Sequence, residues 1–253
     1  LDDILATADG AMVARGDLGV ELGYEHLPLA QKDIIARANH AGRISITATE
    51  MLESMTVNRR PTRAEVTDVA NAVLDGTAAV MLSAETAVGR HPVRAIEVMA
   101  RLCSQIEAGP TYGGGPEVEF VRSHTGFSSA IAKACSDTAD DLGLDTVVAF
   151  TESGGTALLV SKYRPRSRIV GITPDEATYR RMALMWGVLP LLGHRLDSTD
   201  EMIAAAERML RERGLVGDGE WVAITAGIPP GRQASTNILK LHVVGAADGT
   251  GAA

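Results

Sequence analysis

Three short apolar runs, Ala11 to Ala14, Ile44 to Thr49 and Ala79 to Ser83, limit what this chain can fold into more than any other feature. Each leads into polar residues: Arg15-Gly16-Asp17, Thr49-Glu50 and Ser83-Ala84-Glu85-Thr86. Amphipathic stretches lie between and after them. Pro28 to Ala41 carries the stripe Ile34, Ile35 and Ala38 and stops at Gly42, and Thr62 to Asp75 carries Val66, Val69, Ala70 and Val73 and stops at Gly76. A further helix, Pro92 to Glu107, is expected to bury Ile96, Met99, Ala100 and Cys103. Strands alternating with helices predict a parallel sheet, and such sheets gather their functional residues at the C-terminal strand ends.

The first of these ends, Met12-Val13-Ala14-Arg15-Gly16-Asp17-Leu18-Gly19-Val20-Glu21, reads as a strand running into a polar turn with glycines at 16 and 19. Backbone N–H groups exposed by such a turn hold a carboxylate or phosphate, and the carboxylate of Asp17 is a ligand for a divalent metal. An Asp that merely caps backbone groups would look the same in isolation. The two neighbouring strand ends are what favour a site.

Three βα units are too few to close an eight-stranded barrel, which needs about five more. The chain opens at Leu1 in what reads as the end of a helix, so the expectation is the back end of a barrel rather than a small open sheet. Gly109-Pro110 and Gly113-Gly114-Gly115-Pro116 mark a boundary, giving domains over 1–110 and 118–253. The second domain alternates again. Helices are expected at Phe127 to Leu142 (buried line Ile131, Cys135, Ala139, Leu142), Thr156 to Tyr163, Ala177 to Met185 and Thr199 to Arg213, the last with Ser198 and Glu201 at capping-box spacing. Strands are expected at Val147 to Phe150, Ile169 to Ile172, Val188 to Leu192, Trp221 to Thr225 and Leu239 to Val244, forming a mostly parallel sheet. The small, polar tail Ala246 to Ala253 lies beyond them. Two loops of this domain suit a phosphate: Thr151-Glu152-Ser153-Gly154-Gly155-Thr156, at a helix start, and the glycine-rich Gly227 to Asn237 with Gly231 and Arg232.

Composition excludes several classes. A net charge of -8 over 253 residues, with no basic cluster evident from the order of residues, argues against a nucleic-acid surface. No apolar run approaches the roughly 20 residues that cross a bilayer, and no basic-then-apolar leader opens the sequence, so a soluble cytoplasmic protein without membrane contact is expected. Cys103 and Cys135 lack metal-ligand spacing and are expected to be buried thiols, and the scattered histidines indicate no zinc site.

These residues resemble the pyruvate kinase family. The resemblance rests on the segment from Met12 to Glu21, on Ala48-Thr49-Glu50-Met51-Leu52-Glu53-Ser54-Met55, on Pro61-Thr62-Arg63-Ala64-Glu65-Val66 with Asp68 to Gly76, and on Val80-Met81-Leu82-Ser83-Ala84-Glu85-Thr86-Ala87. It covers residues 1 to about 107 with long, ordered motifs, and the remainder resembles the family's C-terminal regulatory domain. The fold it implies is α/β, the C-terminal part of a TIM (β/α)8 barrel followed by a separate α/β domain.

The activity implied is glycolytic phosphoryl transfer from phosphoenolpyruvate to ADP, giving pyruvate and ATP, with Mg²⁺ and K⁺. By motif, Asp17 is the metal ligand, Gly16 and Asp17 bind the substrate carboxylate through their amides, and Thr49 contacts it and relays a proton. Ser83, with Glu85, lines the same rim. Thr151, Ser153, Gly154, Gly155, Thr156, Gly231 and Arg232 would hold an allosteric effector. Arg15 and Arg63 resemble positions near a subunit interface, with ordinary helix-surface charge as the alternative. The family's catalytic Lys, companion Glu, K⁺ site and lid are expected before Leu1, which implies an incomplete chain, inactive alone, from an enzyme that is a homotetramer when complete.

The sequence departs from the family where Glu50 replaces Gln, Ala84 replaces Gly and Ala78 replaces Asp. Glu152 and Gly155 stand where fructose-bisphosphate-responsive members carry basic residues, which points to another phosphorylated sugar or a nucleotide as effector. Two rival readings remain: a metal-dependent aldolase or lyase acting on a pyruvate enolate, and a non-catalytic effector-binding module.

Overall fold

The computed structural model describes residues 1–109, 126–228 and 235–246. Two compact units divide the chain, Leu1–Phe120 and Val121–Ala253. The expected linker at 113–116, the effector candidates Gly231 and Arg232, and the tail beyond Ala246 lie outside the described residues.

In the first unit, helix α1 (Asp2–Thr7) precedes β1 (Gly10–Ala14), α2 (Arg15–Leu22) and α3 (Leu27–His40). Strand β2 (Ile44–Ala48) leads through a 3-10 turn (Glu53–Thr56) to α4 (Arg63–Leu74), and β3 (Ala79–Val80) leads to α5 (Ala84–Ala87) and α6 (Pro92–Glu107). The strands are parallel in the order β1-β2-β3, with Ala14 opposite Ala48 and Thr47 opposite Val80, so their C-terminal ends align.

Three details differ from the sequence reading. Residues 15 to 22 form a helix rather than a polar turn. Gly16 and Gly19 weaken but do not prevent it, because α3 and β1 pack against it. Strand β3 ends at Val80 instead of Ser83, and Met81 adds one more backbone bond to Thr47 before the chain turns away. Helix α6 presents a face shifted by one residue: Ala95, Val98 and Met99 are buried, while Ile96 is 56% exposed and Ala100 faces solvent. That face joins Met51, Leu52, Met55, Val69 and Ala72 in one apolar cluster, which fixes the segment following β2 from below. The start of α4 is closed by a full capping box, with Thr62 and Glu65 each bonding the other's backbone N–H, a device worth about 1 kcal/mol.

The second unit runs α7 (Gly126–Asp141), β4 (Thr146–Phe150), α8 (Gly155–Tyr163), β5 (Arg168–Thr173), α9 (Glu176–Met182), β6 (Val188–Leu192), α10 (Thr199–Glu212), β7 (Trp221–Ala226) and β8 (Ile238–Val243). The sheet order is β6-β5-β4-β7-β8, parallel except for the last pair. Its central strands are buried along their length because helices cover both faces. On α7 the buried line is Ser129, Ala132, Cys135, Ser136 and Ala139, with Leu142 55% exposed beyond the helix end. At α10 the Ser198 hydroxyl caps the Glu201 N–H, but Glu201 returns to Asp197 instead of completing the box.

Cys135 is fully buried in the second unit and its thiol is pushed up to about 12 by desolvation. Cys103 is half-buried in the first, and burial raises it too. Among the described residues no helix is long and apolar enough to cross a membrane.

Candidate functional site

At the aligned strand ends of the first unit, Arg15 is the organising residue. A cation in the first turn of a helix opposes the macrodipole, so its place there needs another cause. The cause is visible in its partners. Its Nε donates to the carbonyls of Ala48 at 3.3 Å and Thr49 at 3.0 Å, one terminal nitrogen donates to Thr49 and Glu50, and the other pairs with Asp68. The side chain is 6% exposed and Asp68 is 40% exposed. Arg15 is therefore neither the helix-surface charge nor an outward-facing residue; it clamps three consecutive carbonyls.

Those carbonyls belong to a strained segment. Thr49 has φ 66° and Glu50 φ 53°, two successive non-glycine residues in the left-handed region. Such residues cost about 1–3 kcal/mol each and persist where surrounding bonds over-determine them. The turn aims the Thr49 hydroxyl at the start of α2, where it accepts from the Gly16 N–H at 2.9 Å and donates to Ala48 O at 2.6 Å. Gly16 and Thr49 are thus brought together, with the Gly16 amide engaged by the hydroxyl. Asp17 is exposed in the same first turn. Among the described residues no three His, Cys, Asp or Glu form a metal-binding group, so Asp17 offers a single hard oxygen ligand.

Glu85 ties the other two strand ends together. It is fully buried, and its two carboxylate oxygens accept from Leu52 N at 2.9 Å and Ser83 N at 2.7 Å. The Ser83 hydroxyl is buried with no hydrogen-bond partner among the described residues. Nearby, burial raises the Glu53 carboxyl, reinforced by the charges of Glu85, Glu50 and Glu65. Glu65 goes the other way. Burial pushes it up, but hydrogen bonds from the Ser54 hydroxyl and amide and from Thr62 outweigh that and hold it below the usual value.

The second unit has its own cavity of about 540 Å³, located where doubly wound sheets bind ligands. From β4 the chain passes to β5 on one side, while β7 lies on the other, so the loops after these strands diverge and leave a crevice. Thr151, Ser153, Gly155 and Thr156 line it at the N-terminus of α8. Gly154 is the N-cap with φ 86° and is not among the lining residues; a Cβ there would stand 3.1 Å from Met185 Cε. The Thr156 and Thr236 hydroxyls bond each other at 2.8 Å.

Sequence reasoning missed His194 and Arg195, which also line the cavity, and Arg195 pairs with Glu152 at 3.4 Å. Neither lies in a glycine-rich motif; only their position just past a strand end could have drawn notice.

The family described as "Pyruvate kinase, barrel domain" matches residues 1–96, and "Pyruvate kinase, alpha/beta domain" matches residues 129–242. The chain is 44% identical over 245 residues to a pyruvate kinase of Sporosarcina psychrophila and 46% identical over 244 residues to one of Geobacillus stearothermophilus. These matches take in 97% and 96% of this chain but 42% of each relative, so the chain spans less than half the length of the curated relatives it matches. A crystal structure of a pyruvate kinase from Cryptosporidium parvum aligns with a TM-score of 0.85 at 36% identity, over 96% of this chain and 48% of that one.

Proposed function

From its membership of the pyruvate kinase family, to which this chain belongs by both of its matched regions, we propose that the chain works in phosphoryl transfer from phosphoenolpyruvate to ADP. The observation that carries the reading is the left-handed Thr49-Glu50 turn held by Arg15 against the start of α2. Backbone strain stabilised by a buried cation, at the meeting point of strand ends, is what a positioned reactive group requires.

In this reading the substrate carboxylate docks on the first-turn amides of α2, at Gly16 and Asp17, where no intrahelical carbonyl reaches. The carboxylate takes the Gly16 N–H from Thr49. The hydroxyl, relieved of that N–H, would turn from the Ala48 carbonyl to which it donates and relay a proton, taking one from water as it passes its own to the substrate. Ser83, with its unpartnered hydroxyl, contributes a second polar contact from the neighbouring strand end. Asp17 would hold Mg²⁺, a cation that keeps several waters and needs only one or two protein carboxylates beside substrate oxygens. The metal's contribution when bound is to neutralise charge on the phosphoryl and enolate oxygens. No described residue is assigned to K⁺. A homotetrameric assembly and a cytoplasmic location belong to the same proposal.

The second-unit cavity is proposed as an effector site. The Thr151 to Thr156 loop and the α8 N-terminus would take a phosphate, and Gly231 and Arg232 belong to the same proposal by their place in the sequence alone. Phe150, Leu159 and Met202 give the remainder an apolar wall, suited to a phosphorylated sugar or a nucleoside monophosphate.

The test is Mg²⁺-dependent formation of pyruvate from phosphoenolpyruvate and ADP by the protein purified from its source. Thr49→Ala is expected to lower kcat about 100-fold or more, in the range of lost proton transfer. Full activity in that variant removes Thr49 from the reaction.

A further inference from the structure

A second concavity of the first unit has no part in that reading. It measures about 570 Å³ and is lined by Arg59 and Arg60, from the loop between the 3-10 turn and α4, and by Arg90, His91 and Arg94, from the start of α6. The two segments are joined by the Arg90 N–H, which donates to Thr56 O at 2.8 Å. Arginines 30 to 35 positions apart in no common motif are thus held around one space.

Among the described residues their charge is largely unbalanced. The chain carries 32 acidic residues and a net charge of -8, yet among the described residues only Glu97 reaches this group, pairing with Arg94 at 2.9 Å. Arg59, Arg60 and Arg90 have no carboxylate partner there. Like charges around a concave surface repel and raise the local potential, an arrangement that an anion relieves. Guanidinium groups are the donors best shaped for phosphate oxygens, which they bind in bidentate pairs.

We propose that this concavity is a binding site for a compact polyanion bearing two phosphate groups. Its volume is that of a small-molecule pocket. Among the described residues Pro92 and Val93 are its only apolar lining, so it offers little to a large apolar body. The inference is independent of the reaction and of the effector cavity, since it shares no residue with either.

Titration of the full chain with inorganic diphosphate at constant ionic strength tests it, followed by NMR of backbone amides and arginine Nε–Hε groups. Saturable shifts are expected at Arg59, Arg60, Arg90 and Arg94. Arg90→Gln and, on the other segment, Arg59→Gln should each weaken the affinity about tenfold; both side chains are exposed, so folding is unaffected. Shifts that grow linearly without saturation, that appear only at Thr151 to Thr156, or that keep their affinity in both variants overturn the proposal.

Discussion

The two candidate sites use the left-handed backbone in opposite ways. In the second unit the turn into α8 falls on Gly154, which adopts φ 86° with no steric penalty. In the first unit the turn after β2 falls on Thr49 and Glu50, side chains that resist it, and an arginine with four hydrogen-bonded partners keeps it in place. The glycine takes up its turn without strain, and Arg181 donates to the neighbouring Ser153 carbonyl at 2.5 Å. The threonine makes its loop dependent on Arg15, and in return presents a hydroxyl that glycine lacks.

The strongest attack on this contrast is Arg15→Ala. It leaves the carbonyls of residues 48 to 50 without their buried donor and Asp68 without its counter-charge, which should cost about 3 kcal/mol. The first unit's transition in denaturant unfolding would move to lower concentration while that of the second stays. An unshifted first transition would mean that the turn holds itself.

Next in size is an exchange of residue types between the turns. Gly154→Ala meets positive φ and the Met185 methyl, and should lower stability by about 1–2 kcal/mol. Thr49→Gly relieves strain while loosening the unfolded chain, so its unfolding free energy should stay within about 1 kcal/mol of the parent. Equal losses in both variants would erase the distinction between the sites.

A smaller effect concerns pH. Glu65 has its folded value depressed below the ordinary 4.5, so its stabilisation is present above 4.5 and is lost as pH falls through the folded value. Glu65→Gln should therefore flatten the acid limb of the first unit's stability profile below about pH 4.5 while leaving the second unit's limb in place. Parallel profiles would show that the carboxylate holds Ser54 and Thr62 no better than an amide.

The smallest expected change is in the effector cavity. Glu152→Gln releases Arg195 from its ion pair, and a phosphorylated sugar should bind a few-fold tighter, by roughly the worth of an exposed pair. Calorimetric titration checks it; weaker binding would mean that Glu152 itself contacts the ligand.

How far the sequence revealed all this depended on the scale of the signal. The order of strands and helices was legible because hydrophobic periodicity extends over many residues, and the Ser198 cap of α10 because its partner Glu201 is three residues away. What lay hidden was set by distance along the chain. Arg15 meets Thr49 and Asp68 across 34 and 53 positions, and no local pattern announces such bonds. The helix at Arg15 to Leu22 was concealed because two glycines outweigh its propensity until neighbours pack on it. The burial of Ala95 and Val98 rather than Ile96 on α6 is a rotation that only the facing α4 and the 3-10 turn decide.

The two cysteines give the molecule a pair of internal clocks. Only a thiolate reacts with an alkylating reagent, and Cys135 becomes one at neutral pH only when the second unit opens and its value falls back from about 12. Cys103, half-buried in the first unit, answers to opening of α6 instead. Peptide mapping after timed labelling would read each unit's opening separately in the same tube, with no introduced probe.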